Sequence, residues 1–151
     1  MNITAPDILL VEDSPTMAEL FMFALEANKS VATVKVVRDG VEALDFLLGE
    51  AGHQSGSGCK ALPGLVLLDI HLERISGFEV LARLRADERT RLLPVVILSS
   101  SDQESDKHEC FRLGANSYIQ KPLGFKNSCD TIARLESDWL KKSLTPASQQ
   151  N

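Results

Sequence analysis

The stretch Ile8-Leu9-Leu10-Val11-Glu12-Asp13-Ser14-Pro15 decides the fold. Four β-branched or aliphatic residues in a row, with no polar alternation, read as a strand buried on both faces. The strand stops at two acids. Ser14 then offers a helix cap, and Pro15 suits the first helical position. Met17, Leu20, Phe21, Ala24 and Leu25 follow at spacings of three and four, the mark of an amphipathic helix.

The same grammar repeats along the chain. Val34, Val36 and Val37 form a second strand, and Val41, Leu44, Leu47 and Leu48 a second helix. Leu65-Val66-Leu67-Leu68 is a third buried strand that runs into Asp69. A loop through Gly77 leads to a helix carrying Phe78, Leu81 and Leu84. Val95-Val96-Ile97-Leu98 is a fourth strand, ending at Ser99-Ser100-Ser101. The next helix carries Cys110, Phe111 and Leu113 and closes at Gly114, a residue suited to the left-handed position past a helix end. Ser117-Tyr118-Ile119-Gln120 is a short fifth strand before Lys121-Pro122. Phe125, Cys129, Ile132, Leu135 and Trp139 mark the last helix. Strict alternation predicts an α/β fold, a doubly wound five-stranded parallel sheet with helices on both faces.

The chain of 151 residues fits one domain, with a core over about 7–142 and a polar tail from Ser143 to Asn151 that is expected to fray. Gly49 to Gly64 is rich in glycine and serine and reads as a long loop inserted before the third strand. The net charge of -5, without a basic run, argues against nucleic acid and against an anionic membrane surface. No apolar run approaches the about 20 residues that span a bilayer, and the first residues lack the pattern of a signal peptide. A cytoplasmic location is therefore expected. Cys59, Cys110 and Cys129 are odd in number and widely spaced, so they indicate neither a disulfide framework nor a zinc site. His53, His71 and His108 show no metal-ligand spacing.

In an open α/β sheet the functional crevice lies beyond the carboxyl ends of the strands. There the first strand delivers Glu12 and Asp13, the third Asp69, the fourth Ser99 and the fifth Lys121. Carboxylates gathered at one place repel one another, and hard oxygen ligands that leave room for water suit Mg²⁺. A divalent cation, a lysine and a hydroxyl around one carboxylate make a phosphoryl-binding site. A carboxylate can itself be the nucleophile. Asp69, on the central strand, is the best placed for that role, with Glu12 and Asp13 as metal ligands.

Leu10-Val11-Glu12-Asp13-Ser14, Leu67-Leu68-Asp69-Ile70, Gly77, Ile97-Leu98-Ser99-Ser100 and Tyr118-Ile119-Gln120-Lys121-Pro122 resemble the receiver domain of two-component response regulators. The resemblance implies a flavodoxin-like receiver fold. It implies that Asp69 accepts a phosphoryl group from a sensor histidine kinase. Mg²⁺, or Mn²⁺ in its place, would be held by Glu12, Asp13, Asp69 and the backbone carbonyl of His71. Ser99 and Lys121 would contact the phosphoryl oxygens, and Tyr118 would be the aromatic switch. Gly77 would be structural, and the bond before Pro122 would be cis. His71 and Ser101 fall at positions that tune the lifetime of the phosphoryl group in that family. Glu73 departs from the family's usual proline four residues after the phosphoacceptor, and Ser99 stands where threonine is commoner.

The Gly/Ser-rich loop, Ala115-Asn116-Ser117-Tyr118 and Trp139-Leu140 narrow the resemblance to single-domain regulators paired with bacterial phytochrome kinases, which commonly form homodimers. Only 29 residues follow Pro122, so the expected output is a protein contact or onward phosphotransfer rather than an attached effector. The chain is then a phosphoacceptor, not an enzyme beyond its self-catalysed phosphotransfer and dephosphorylation. Three other readings are weaker. A haloacid-dehalogenase-type phosphatase would have an acid where His71 stands. A flavin or nucleotide binder would have a glycine-rich loop after the first strand. A receiver-like adaptor that is never phosphorylated would have no need of the complete acid, hydroxyl and lysine set.

Overall fold

The computed structural model describes residues 5–49, 62–122 and 124–140. Five strands, β1 (Ile8–Val11), β2 (Val34–Val37), β3 (Leu65–Leu68), β4 (Val95–Ser99) and β5 (Ser117–Gln120), alternate with five helices. The helices are α1 (Pro15–Ala27), α2 (Gly40–Leu48), α3 (Gly77–Ala86), α4 (Glu104–Arg112) and α5 (Phe125–Leu135). The strands form one sheet in the order β2-β1-β3-β4-β5, with every pairing parallel. The predicted doubly wound α/β fold is thus the one observed. Most of the Gly49–Gly64 loop, with His53 and Cys59, and the tail from Ser143 lie outside the described residues.

Burial follows the period of two along each strand. Leu9, Val11, Val66, Leu68, Val95 and Ile97 face α2, α3 and α4, where they pack with Leu44, Leu47, Val80, Leu81, Leu84 and Cys110. Ile8, Leu10, Leu65, Leu67 and Val96 face the other way and pack with Phe21, Ala24, Leu25, Ile132 and Leu135 of α1 and α5. β1, β3 and β4 are buried throughout, which explains why they read as unbroken apolar runs. The edge strands β2 and β5 are partly exposed and accordingly carry Lys35 and Gln120.

The caps read from the sequence form as expected. Ser14 Oγ accepts the Met17 N–H at 3.2 Å, and Asp39 Oδ1 accepts the Glu42 N–H at 2.8 Å. Gly114 lies past the end of α4 at a φ of 110°. β4 runs one residue further than the sequence suggested and takes in Ser99. The last helix differs more. After Leu135 it widens into a π-helical turn, Glu136–Leu140, in which residues five apart align. Leu140 therefore stacks behind Leu135 as the buried residue, while Trp139 is only partly buried against the same cluster.

The bond between Lys121 and Pro122 is trans, as are all peptide bonds among the described residues. This corrects the cis bond implied by the resemblance. The trans form is intrinsically favoured before proline by about 0.5–1 kcal/mol. With it, the Lys121 N–H still reaches the Ser99 carbonyl at 2.7 Å, so no local hydrogen bond demands the cis form.

At the amino ends of β4 and β5, Arg85 ties several segments together. Its guanidinium donates to the carbonyls of Gly114 at 3.0 Å, Thr90 at 3.1 Å and Leu93 at 2.8 Å, and to Asn116 Oδ1 at 2.9 Å. Asn116 Oδ1 also accepts the Val95 N–H at 2.8 Å. Arg85→Ala leaves these acceptors without their donor and is expected to cost about 2 kcal/mol in urea unfolding.

Cys110 is 0% exposed, and burial, aided by the charges of Asp106 and Glu109, pushes its thiol from the ordinary 9.0 up to about 11. The unfolded chain then loses this proton first as pH rises. The group's contribution is complete below pH 9 and vanishes as pH climbs toward 11, a loss of ~2–3 kcal/mol. Urea midpoints measured at pH 8 and pH 11 should therefore converge for Cys110→Ala relative to the fall seen in the parent chain.

Candidate functional site

The register of the sheet assembles the site. Val11 pairs with Leu68, Leu68 with Ile97, and Ile97 with Tyr118. Glu12 and Asp69 each lie one residue past that row. β1 has β2 on one side and β3 on the other, so the chain reverses its direction of winding between β1 and β3. The acids of these two strands flank this reversal, where open sheets leave a crevice.

Glu12, Asp13 and Asp69 each bring one carboxylate oxygen to within 4.8 Å of the others. Glu12 and Asp69 are buried and Asp13 is half-buried. Lys121 Nζ bridges two of them, at 2.8 Å from Glu12 Oε1 and 3.1 Å from Asp69 Oδ2. Lys121 lies further along its strand than the acids do on theirs, and its flexible stem covers the difference. The second oxygens are used as well. Glu12 Oε2 accepts the Ser14 N–H at 3.2 Å, and Asp69 Oδ1 accepts the His71 N–H at 3.1 Å.

Burial raises the Glu12 carboxyl above its ordinary value, although the Lys121 hydrogen bond and charge oppose the shift. Burial also pulls Lys121 down, but its hydrogen bond to Glu12 and the charge of Asp69 outweigh this, and the ammonium ends above its usual range. Both groups shift upward: for Glu12, burial and the neighbouring charge of Asp69 disfavour the carboxylate, whereas for Lys121 both acidic partners favour the ammonium. Three carboxylates face one ammonium, which leaves an excess of negative charge suited to a divalent cation.

Ser99 is fully buried at the end of β4, and its Oγ accepts the Ser101 N–H at 3.1 Å. Tyr118 is half-buried against the α2–α3–α4 side of the core, and its hydroxyl donates to the Ser101 carbonyl at 2.8 Å rather than to Ser99. Gly77 begins α3 directly against the end of β3 and the loop that follows it. A Cβ there would lie 2.3 Å from the Asp69 carbonyl oxygen, so only glycine fits. Glu73 stands in a turn centred on Arg74, whose φ is 70°, with the Ile75 N–H donating to the Glu73 carbonyl at 2.8 Å. This turn uses only the backbone of residue 73, so it forms without the family's proline. Arg74 in turn bonds Asp39 Oδ2 at 2.7 Å, linking the loop to the start of α2.

The strand-end residues grouped from the sequence were Glu12, Asp13, Asp69, Ser99 and Lys121; the structure gathers the three acids and sets Lys121 on Glu12 and Asp69, while Ser99 Oγ accepts the Ser101 N–H. The sequence reading did not identify the Arg74–Asp39 link, because no local pattern announces a contact 35 residues away. Nor did it assign Asn116 its role as acceptor for Arg85 and Val95, although Asn116 stood within a quoted motif.

The excess negative charge has a measurable cost. Asp13→Asn is expected to stabilise the metal-free protein by on the order of 1 kcal/mol in urea unfolding at neutral pH, by relieving repulsion near Glu12 and Asp69.

Comparison with known proteins places the chain. The family model for the response regulator receiver domain matches residues 8–133. Probable methanogenesis regulatory protein FilR2 of Methanothrix harundinacea is 37% identical over 139 residues, 92% of this chain and 86% of its own length. Response regulator Rcp1 of Synechocystis is 31% identical over 140 residues, 93% of this chain and 92% of its own. The crystal structure of the Mn²⁺-bound form of Rcp1 has a TM-score of 0.79 and covers 94% of this chain and 99% of that one. The phosphorylated cyanobacterial phytochrome response regulator RcpA is 33% identical with a TM-score of 0.79, covering 95% and 100% of the two chains. Among the described residues no helix is long and apolar enough to cross a membrane. With a five-stranded parallel sheet, an acidic cluster at its switch point and a family match over most of its length, the chain belongs to the response regulator receiver domain family.

Proposed function

We propose that the chain is a single-domain response regulator that accepts a phosphoryl group on Asp69 from a sensor histidine kinase. One observation carries this reading. A lysine is held between Glu12 and Asp69 at 2.8 and 3.1 Å, beside a third carboxylate, at the carboxyl edge of a parallel sheet. In the transfer an Asp69 oxygen attacks phosphorus, the P–N bond to the donor histidine breaks, and the imidazole leaves. Lys121 has three donors, of which two face Glu12 and Asp69, so the third can meet a phosphoryl oxygen. The Ser99 hydroxyl is the second contact: its Oγ accepts the Ser101 N–H and its O–H can donate to a phosphoryl oxygen.

Glu12, Asp13 and Asp69, with the His71 carbonyl, would hold Mg²⁺ or Mn²⁺. When bound, the cation neutralises charge on the transferring group. Both oxygens of Glu12 and both of Asp69 already have hydrogen-bond partners, so each acid would share an oxygen with the cation.

The similarity to the cyanobacterial phytochrome response regulator RcpA supports a phytochrome-type kinase as partner. A second copy of the chain is a further expected partner, and light scattering of the phosphorylated and unphosphorylated protein tests it. Exposed Phe111 and Phe125, on α4 and α5, give such a contact apolar area.

Incubation with acetyl phosphate and Mg²⁺ should add one phosphoryl group, seen by intact mass. Asp69→Asn should abolish the gain, and labelling of that variant at the parental level overturns the assignment. Lys121→Ala should lower the rate by roughly a hundredfold, the scale of losing one donor to a developing charge. Phosphotransfer profiling across sensor kinases then identifies the donor.

A further inference from the structure

Ser101 has every hydrogen-bonding group engaged within one loop. Its N–H donates to Ser99 Oγ at 3.1 Å, and its carbonyl accepts the Tyr118 hydroxyl at 2.8 Å. Its own hydroxyl donates to Asp106 Oδ2 at 2.6 Å and accepts the Gln103 N–H at 3.2 Å. The last contact matters because Gln103, at the start of α4, makes no side-chain cap of its own. Ser101 takes that place from outside the helix, and Asp106 in the first turn holds it there.

α4 has little else to fix it. Cys110 is its only buried residue, whereas α2 and α3 each bury several. It also meets β5 through Lys107, whose Nζ lies 5.8 Å from the centre of the Tyr118 ring. Asp106 and Lys107 are adjacent on the helix. One grips the loop that carries Ser99, and the other lies over the tyrosine that the same loop holds.

We propose that Asp106 and Ser101 are positioning residues that hold Ser99 and Tyr118 in the unphosphorylated arrangement. The inference rests on Asp69 being the phosphoacceptor. Ser99 Oγ is tethered to the Ser101 N–H, so turning the hydroxyl toward a phosphoryl oxygen on Asp69 draws the loop with it. That shift pulls the Ser101 hydroxyl from Asp106 and its carbonyl from Tyr118. The Ser101–Asp106 bond therefore opposes phosphorylation, and it couples the buried hydroxyl of β4 to the ring on β5 through helix α4. A ligand that favours one state of such a pair must overcome every contact unique to the other.

The test uses beryllofluoride with Mg²⁺ as a phosphoryl analogue, and Asp106→Ala, Asp106→Asn and Ser101→Ala variants. Tyr118 is the only tyrosine in the chain, so 3-fluorotyrosine labelling gives a single ¹⁹F resonance that reports on its ring. Asp106→Ala and Ser101→Ala should bind beryllofluoride about three- to tenfold more tightly than the parent. Without ligand, their ¹⁹F resonance should move toward its position in the ligand-bound parent. Asp106→Asn keeps an acceptor oxygen and should fall between. A merely structural role would weaken binding, not tighten it. Equal or weaker binding by both alanine variants, with an unmoved resonance, overturns the proposal. A parent protein that takes up no beryllofluoride overturns the phosphoacceptor reading instead; the clasp then stands if the ligand-free ¹⁹F resonance of both alanine variants is displaced from that of the parent, and falls if it is not.

Discussion

The ammonium of Lys121, lodged between the buried carboxylates of Glu12 and Asp69, is the contact around which this molecule is organised. Removing two acids and a lysine from water is costly, and their mutual attraction repays that cost only with close geometry and satisfied hydrogen bonds. Both conditions are met. Each acid uses its second oxygen on a backbone N–H, and among the described residues no buried side-chain polar atom lacks a partner. A third carboxylate, that of Asp13, stands beside the pair, within 4.8 Å of both acids.

The frame that imposes this arrangement is the sheet. Its three inner strands are buried on both faces, so a slip of one residue would exchange the two halves of the core. Fixed register then fixes where each strand-end residue emerges. Glycine at position 77 lets α3 begin against the Asp69 carbonyl, and Arg74 anchors the intervening loop to α2. At the opposite edge Arg85 gathers the entries to β4 and β5, which keeps the strands that deliver Ser99 and Lys121 in line. The rigid parts and the responsive part are therefore different. α2 and α3 are anchored by apolar burial, while α4 depends on polar contacts at its first turn and on Tyr118.

Departures from the family pattern are explained by the same distinction. Glu73 replaces a proline at a point where the turn uses only a backbone carbonyl. Ser99 keeps the hydroxyl that its position needs. The Lys121 amide lies on the Ser99 carbonyl, so the lysine reaches the acids from a strand end already tied to β4.

Much of this was legible in the order of residues alone. Unbroken aliphatic runs mean burial on two faces, and burial on two faces means a parallel sheet covered by helices. Polar residues following such runs must then share one edge, which is why Glu12, Asp13, Asp69, Ser99 and Lys121 could be grouped without coordinates. Tertiary structure alone decided which of them touch. It placed Lys121 on Glu12 as well as on Asp69, gave Arg74 to Asp39 and Arg85 to Asn116, and turned Trp139 partly outward by widening the helix after Leu135. It also set the Tyr118 hydroxyl on Ser101. Periodicity is a local property that repeats every two or four residues, so the chain displays it openly. A hydrogen bond between residues 17, 35 or 52 apart depends on the packing of everything between them, and no short pattern records it.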